Sequence, residues 1–429
     1  MEVGSESASD PKEASRTETP GRPPVRAPAD SKNRAEPADP YLGQPNGLAR
    51  VKSHEVDVAV VGAGLAGTSA AAVLAGQGRR VLLLDPRAAY PDCFKAEKVE
   101  PDQAELMREL GLMDAMAPAL TPIHEVLSAC RTGVIERRPI EQYGTLYHDL
   151  VNGLRARLPE GLEQRPLRAR GIETSPDLQR LSLEDGTEVT ARLVVLACGA
   201  SERLAKQLGM RREWVSRRHS LDFGFYVAPR NGAGFAFDAL TYYPDGVATR
   251  LGCLSLFPVG THMRANLFTY QDADGAWAKR FQAAPAETLL QSLPGLEEHA
   301  PGFEVTSRIE WAVIELYRVE GHVQPGVVVI GDAFQGVCPI TGTGLSKVFR
   351  DVATLCLDCV PTWLESPGMG AEKVAAFYDH PRKVKTDQHS LESAFYSREI
   401  ALNSSWRWRR RAALDRWSRR VASYLKLTR

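Results

Sequence analysis

The chain has little that would tie it to the outside of a cell or to a charged polymer. Its seven cysteines are odd in number and scattered over 429 residues, which argues against a disulfide framework and for a reducing compartment. Charge of one sign is also lacking: 53 Lys and Arg balance 53 Asp and Glu, so no global field selects nucleic acid or an anionic membrane. The nine histidines form no H-E-x-x-H or comparable ligand spacing, and His148 and His219 read as hydrogen-bonded structural residues. No apolar run near the start has the form of a signal peptide. The most apolar stretch, 56–75, carries Asp57 and several glycines and does not read as a membrane span. Large apolar residues are scarce in the first fifty positions, which are rich in Ser, Pro, Ala, Glu and Arg. Such a segment cannot bury enough surface to offset its ordering entropy, so 1–53 reads as a disordered tail.

What is present begins at residue 56. V-D-V-A-V-V reads as a short buried strand and runs straight into Gly62, Ala63, Gly64, Leu65, Ala66 and Gly67. The small residues after it suit a helix lying close on a sheet, 81–84 is a second apolar strand, and Asp85 closes that strand. Gly62 permits the tight turn, Gly64 lets the backbone approach a pyrophosphate, and Gly67 lets helix and strand touch. The helix start offers free N–H groups and partial positive charge to phosphate. Asp85 is placed to accept both hydroxyls of an adenosine ribose, and its charge disfavours a 2′-phosphate and hence NADP here. Strand, glycines, helix, strand and acid together make the full dinucleotide-binding fingerprint. The loop that follows, 86–100, opens on Pro86 and Arg87 and carries Lys95 and Lys98. These could reach a phosphate or a substrate carboxylate, and read equally well as a solvated surface.

Further along, 135–140 reads as a strand and 143–158 as a helix, with Leu146, Leu150, Leu154 and Leu158 as its core stripe. Short strands around 181–183 and 188–190 flank the hairpin turn Asp185-Gly186, and 192–201 reads as another buried strand. From about 219 to 320 aromatic and β-branched residues with partial alternation predict a largely antiparallel sheet, with a helix near 286–293. It is a plausible wall for an apolar substrate pocket, with Tyr226, Tyr242, Tyr243 and Arg250 as lining or structural residues. Buried strand 326–330 ends at Gly331-Asp332. A helix through 357 follows Pro339-Ile340-Thr341-Gly342-Thr343-Gly344-Leu345, and the chain ends in basic helical sequence.

Gly62-x-Gly64-x-x-Gly67, Gly331-Asp332 and Pro339 with Gly342-x-Gly344 occur in an order that resembles the FAD-dependent single-component aromatic hydroxylases, the p-hydroxybenzoate hydroxylase-like flavoproteins. Geranylgeranyl reductases and flavin-dependent halogenases share that fold. The resemblance covers roughly 56–364. It implies an α/β fold of α+β two-domain build: a Rossmann-like FAD-binding domain with a parallel sheet (54–218 and 321–364), an inserted antiparallel substrate domain (219–320) and a C-terminal helical segment (365–429). It implies FAD held by residues 62–67, Asp85, Pro86 and Arg87, with Asp332 on hydroxyls of the ribityl chain. Gly342, Thr343, Gly344 and Leu345 would bring backbone and a helix start to the N1 and O2 side of the ring, and Pro339 would lie beside its reactive face. NAD(P)H is the implied electron donor.

Three places depart from the family pattern. The Asp-Gly near the third strand is replaced by Ala197-Cys198-Gly199-Ala200-Ser201, the Arg that usually begins the helix with Leu150 and Leu154 by Tyr147, and Ala-Ala-His after Gly-Asp by Ala333-Phe334-Gln335. FAD binding survives these changes, while the mode of nicotinamide use stays open. No second G-x-G-x-x-G supplies a separate nicotinamide domain. Cys356 and Cys359 have C-x-x-C spacing but fall at the end of a predicted helix, where packed thiols are the better reading. Trp406-Arg407-Trp408 lacks the flanking residues of a halogenase motif. The stripe Trp406, Leu414, Trp417, Val421 and Tyr424 is expected to pack on the core, ahead of peripheral membrane contact by this basic helix.

The expected protein is therefore a cytoplasmic FAD monooxygenase of an aromatic or other apolar small molecule, with no nucleic acid and no protein partner identifiable from the sequence. The flavin carries the chemistry and no catalytic side chain is assigned. A flavin reductase of the geranylgeranyl reductase type and a non-catalytic flavin protein are the alternatives.

Overall fold

In a computed structural model, residues 53–230, 232 and 234–427 are described; the tail expected over 1–53 lies outside them apart from Ser53. The apolar runs read as buried strands build a seven-stranded sheet. Glu163–Arg165, Val81–Leu84, Ser53–Val61 and Glu188–Leu196 lie in that order, all parallel. The far side of Glu188–Leu196 is shared. Its first half takes the antiparallel strand Gln179–Leu183, and its second half takes the returning strand Val327–Val329 in parallel. Asp185-Gly186 forms the expected hairpin turn, with Gly186 at φ +83° and Asp185 accepting from the Thr187 N–H at 2.9 Å. The two separate strands expected over 188–201 are one, because Ala191, Leu193, Val194 and Val195 are all buried and nothing interrupts the pairing.

The second sheet has nine strands among the described residues. Phe303–Val305, Arg211–Pro229, His262–Thr269, Leu251–Val259, Ala239–Tyr242, Thr121–Cys130, Gly133–Gly144 and Lys98–Val99 follow one another, with Glu310–Glu320 also on Arg211–Pro229. Its membership is thus wider than 219–320, since three strands come from 98–144. The 143–158 helix also starts later than expected, at Tyr147, because Tyr143 and Gly144 pair in the sheet. Contacts do not separate the two sheets, which belong to one compact unit.

Residues directly opposite one another across the ladder share a face. Leu221, Phe223, Phe225, Leu254, Leu256 and Leu267 form the outer face and bury against helices Ala276–Ala283, Pro285–Ser292 and Leu296–His299. The inner face is different. It carries the rows Asp222, Phe268 and Cys253; Gly224, Asn266 and Ser255; and Tyr226, Arg264 and Phe257.

The C-terminal third is helical. Gly344–Ala353 continues into a π-helical turn, Thr354–Cys359, that holds both C-x-x-C thiols inside the core. Burial pushes their pKa values up, that of Cys359 to about 12. The thiols are packed, as expected, but lie mid-helix and not at a helix end, because the helix continues through Val360–Glu365. The terminal helix, Trp406–Leu427, overturns an expectation for three of the five stripe residues: Trp406, Leu414 and Trp417 are exposed, and the side chains of Val421 and Tyr424 lie outside the described residues. The residue that turns inward is Trp408, tilted against Tyr396 at 5.7 Å. None of the described helices is long and apolar enough to cross a membrane.

Four buried charges tie this third to the first sheet. Lys347 Nζ lies 3.1 Å from Asp351 and 2.8 Å from Asp387, and Lys383 Nζ 2.8 Å from Asp351 and 3.1 Å from Asp387. The result is a closed ring of alternating sign joining helices Gly344–Ala353 and Pro381–Leu402. Phe334 covers it, its centroid 4.2 Å from Lys383 Nζ, and Asp351 also accepts the Gly331 N–H at 2.9 Å. Removing one member strands its partners in a dry site, so Lys383→Met should cost about 3–5 kcal/mol in urea unfolding. The double change Lys383→Met with Asp387→Leu should recover most of it.

His219 supplies a pH-dependent term. It is buried between Ser216 Oγ at 3.1 Å and the Ala394 carbonyl at 3.3 Å. Burial, helped by Arg398, holds its pKa down at about 4. The unfolded chain binds this proton near the ordinary value and the folded chain does not, so stability is full above about pH 6.5 and falls as pH drops toward 4, by up to about 3 kcal/mol. His219→Gln should flatten that part of a stability-against-pH curve.

Candidate cofactor and active site

The first glycine turn is closed by the protein on two sides and open on the third. Gly62 has φ +104°, and a Cβ there would stand 2.5 Å from the Ala197 carbonyl oxygen; one at Gly67 would stand 1.8 Å from that of Gly62. Neither position admits a side chain. A Cβ at Gly64 would meet nothing nearer than the Tyr90 ring at 3.5 Å. The loop therefore keeps free space at the glycine expected to face a pyrophosphate. Ala63, Leu65 and Ala66 are buried around it, and Tyr147, also buried, brings its hydroxyl to the Leu65 N–H. Tyr147, the departure from the family's Arg, thus touches the start of helix Leu65–Gly76.

Asp85 is buried and braced. One oxygen accepts the Ala63 N–H at 2.9 Å, and the Arg87 guanidinium spans both oxygens at 2.9 and 3.0 Å. Burial raises its pKa, but Arg87 and the two backbone N–H groups outweigh that and leave the carboxyl below its ordinary value. An ionised carboxylate has about four acceptor positions, and the Ala63 N–H, the Arg87 N–H and the two guanidinium bonds fill them, so a ribose hydroxyl would bind here by displacing the half-exposed Arg87 side chain. Beyond it lies a hollow of about 260 Å³ lined by Ala63, Leu83, Asp85, Arg87, Arg155 and Arg165. Pro86 is exposed at its edge.

The basic loop does more than cover a surface. Arg87 serves Asp85, Lys98 pairs with Glu100 at 3.4 Å, and Lys95 Nζ reaches Asp332 at 3.3 Å while standing 5.2 Å from the Tyr147 ring centroid. Burial opposes the Lys95 charge, but Asp332 and the two phenols prevail and its pKa is raised. Lys95, Tyr147 and Asp332 so converge near the start of the first helix.

The second and third motifs arrive from the other end of the chain. Gly331, at φ +61°, packs so tightly on the first helix that a Cβ would stand 3.1 Å from that of Ala66. Pro339–Thr341 is a single 3-10 turn, Gly342 has φ +67°, and helix Gly344–Ala353 begins at once, with Leu345 buried. Thr343 lies in a hydroxyl chain, 2.7 Å from Thr341 Oγ1 and 2.8 Å from Ser390 Oγ. Gln103, which the sequence reading passed over, donates to the Gly342 carbonyl at 2.6 Å and to Ser346 Oγ at 2.9 Å, and accepts from the Glu100 N–H at 2.9 Å. Its signal was there: Glu100-Pro101-Asp102-Gln103 is a capping-box pattern.

A second missed cluster sits on the inner sheet face. Arg264, 1% exposed, spans both oxygens of Glu97 at 2.7 and 2.8 Å and reaches Glu310 at 2.6 Å, while Asn266 donates to Glu97 at 2.8 Å. Tyr226 lies under the Arg264 guanidinium at 4.9 Å. Of the other lining candidates, Tyr242 gives its hydroxyl to the Pro294 carbonyl on the outer face, Arg250 holds the Tyr270 carbonyl, and Tyr243 bonds through its backbone N–H to Ala129. Among the described residues no group of three His, Cys, Asp or Glu side chains could hold a metal ion.

Residues 55–359 match the family described as FAD binding domain. The chain belongs to that family. Curated relatives include 3-amino-4-hydroxybenzoate 2-monooxygenase PtmB3 of Streptomyces platensis, 23% identical over 72% of this chain and 80% of its own. Squalene epoxidase of Aspergillus fumigatus is 23% identical over 81% of this chain and 76% of its own. Among solved structures, p-nitrophenol 4-monooxygenase PnpA of Pseudomonas putida superposes with TM-score 0.68 at 17% identity, over 86% of this chain and 94% of that one. The protein is an FAD-dependent oxidoreductase with the fold of the flavin monooxygenases. Its residues fit the cofactor: the open face at Gly64, the braced acid and the hollow beyond it suit the adenosine end, and the glycine turn at Gly342 suits the ring end. Asp85→Ala should lower FAD affinity about 10- to 100-fold, read by quenching of FAD fluorescence, with the fold retained.

Proposed function

We propose that the protein hydroxylates an aromatic, largely apolar small molecule, with NAD(P)H as reductant and O2 as oxidant. The observation that carries this reading is the meeting of three glycine turns with the polar inner face of the second sheet. FAD, when bound, supplies electron transfer and oxygen activation. The protein's part is to bind and orient. Residues 62–67 would take the pyrophosphate, Asp85 with Pro86 and Arg87 the adenosine, and Asp332 the ribityl hydroxyls. Gly342, Thr343, Gly344 and Leu345 would present backbone N–H groups and the positive end of a helix to the ring. Pro339 would stand beside the reacting face, and residues 219–320 would supply most of the substrate wall, excluding water from it.

The relatives' names support oxygenation over saturation, since they are monooxygenases and epoxidases. The same names support an aromatic or apolar substrate, and a place in secondary metabolism is part of the proposal. Cytoplasmic residence fits the free cysteines. Exposed Trp406 and Trp417 beside Arg407, Arg409 and Arg410 also suit occasional contact of the terminal helix with an anionic membrane.

Mixing the FAD-loaded protein anaerobically with NADH or NADPH and then admitting oxygen tests the reading. One nicotinamide should bleach the flavin, faster with substrate present, and oxygen should be consumed in step with hydroxylated product. Bleaching followed by loss of a substrate double bond, with no oxygen taken up, would replace it by the reductase. No bleaching with either nicotinamide would refute direct NAD(P)H use.

A further inference from the structure

On the inner face of the second sheet one polar pair is left without well-placed partners. Asp222 is fully buried with only the Ser220 hydroxyl and the Thr269 N–H close to its carboxyl, neither in good hydrogen-bond geometry; the Tyr270 hydroxyl, in a residue 4% exposed, is unmet. A buried polar group without a well-placed partner forfeits its hydration for nothing in return. The neighbouring rows show that this is not general looseness. Arg264, Glu97, Asn266 and Glu310 on the same face are joined in one network.

The position of the pair is informative. Asp222 stands opposite Phe268, which stands opposite Cys253. Ser220, two residues earlier on the same face, brings its hydroxyl to 3.6 Å from Cys338 Sγ, directly before Pro339. Ile340 lies against Gly252, where a Cβ would come within 2.3 Å of its Cδ1. From the other side, Phe94 closes on Gly224, leaving 2.5 Å to a Cβ there, and Lys95 continues to Asp332. Asp222 therefore lies in the floor between the two segments, 94–97 and 338–341, that lead into the cofactor-binding motifs.

We propose that Asp222 and Tyr270 form the subsite for a hydroxyl or amino substituent on the ring of the aromatic substrate, and so determine specificity. The inference rests on the hydroxylase reading above. Burial pushes the Asp222 carboxyl up to about 8, against the weaker pull of Ser220 and the Thr269 N–H. Near neutral pH it is mostly protonated and can donate as well as accept. Tyr270 offers the same pair of capacities. No described Lys, Arg or His forms an ion pair with Asp222; Arg398, the cation acting on Tyr270 and His219, is held by Ser216 Oγ at 3.1 Å. An anionic substituent would find no countercharge at Asp222, whereas an aryl OH or NH2 both gives and takes a hydrogen bond. A site built to bond such a group discriminates strongly against analogues that lack it.

The test uses the oxidised, FAD-loaded protein without nicotinamide, so it does not depend on turnover. Phenol, aniline and 1-naphthol, each beside its O- or N-methylated analogue, are titrated while the flavin absorbance is followed. The free OH or NH2 compounds should bind about tenfold or more tightly than the methylated ones. Asp222→Leu should abolish that preference while retaining FAD and melting no lower than the parent, since it removes a carboxyl without a well-placed partner. Asp222→Asn should keep most of the preference, and Tyr270→Phe should lose about three- to tenfold. Equal preference in the parent and Asp222→Leu, or no response to any of the compounds, overturns the proposal. If Asp222→Leu fails to fold, Tyr270→Phe decides: an unchanged preference there overturns the proposal. Failure of the hydroxylase reading would show separately, as reduced flavin that oxygen reoxidises without product.

Discussion

The structure hangs on how closely the start of helix Leu65–Gly76 is pressed against its surroundings. Gly67 touches the Gly62 carbonyl, Gly62 touches Ala197 on the neighbouring strand, and Gly331 touches Ala66 from the far end of the sequence. The first two are closer than any side chain permits, and the third leaves a Cβ only 3.1 Å. Together they fix the free N–H groups and positive end of one helix at the mouth of the first sheet. Asp85 and Ala63 stiffen the same turn through a hydrogen bond of 2.9 Å. A phosphate group placed there would meet donors that need not rearrange, which is where binding energy is conserved.

The ring of Lys347, Asp351, Lys383 and Asp387 extends that constraint outward. Asp351 holds the Gly331 N–H while Lys347, one turn into helix Gly344–Ala353, is held by Asp351 and Asp387. The strand end expected at the ribityl chain and the helix expected at the ring are thus linked through one carboxylate. Four charges out of water are not an efficient source of stability, since an apolar cluster of like size would do as well. What the ring adds is geometry: ion pairs of 2.8 to 3.1 Å tolerate less sliding between two helices than apolar contact does.

What could be read in the sequence follows the range of the interactions. The glycine turns, the Asp185-Gly186 hairpin and the buried strands are local, and their residue types state their conformations directly. Lys347 with Asp351, and Lys383 with Asp387, each read as an ordinary solvated pair four residues apart on a helix. Only the fold brings the two pairs together across more than thirty residues. The long strand Arg211–Pro229 was hidden at its start by Arg211, Arg212 and Glu213, whose charge answers to a partner strand and to solvent. Strands 121–144 join the second sheet through a crossing that chain order does not reveal. In the terminal helix the period of Trp406, Leu414 and Trp417 was correct for a helix face. Periodicity cannot say which face meets a partner, and here Trp408 does.

The inner face of the second sheet shows how one surface can serve two purposes. Its rows alternate with an outer face of Leu and Phe packed on helices, so the side of every residue is set by register; a slip of one would put Arg264 and Asp222 into that apolar layer. Given the register, the polar residues divide by whether the fold supplies partners. Arg264 receives Glu97, Asn266 and Glu310, and the loop carrying Glu97 is thereby pinned with Lys95 close to Asp332. That network does structural work and is complete. Asp222, one row beyond Asn266, has only Ser220 and the Thr269 N–H near it and neither in good geometry, and the Tyr270 hydroxyl receives none. A buried carboxyl that serves only packing would be better as Leu or Asn. Set beside a completed network, it fits a partner that arrives with the substrate, so on this proposal the same sheet face anchors the cofactor loop at one row and reads the substrate at the next.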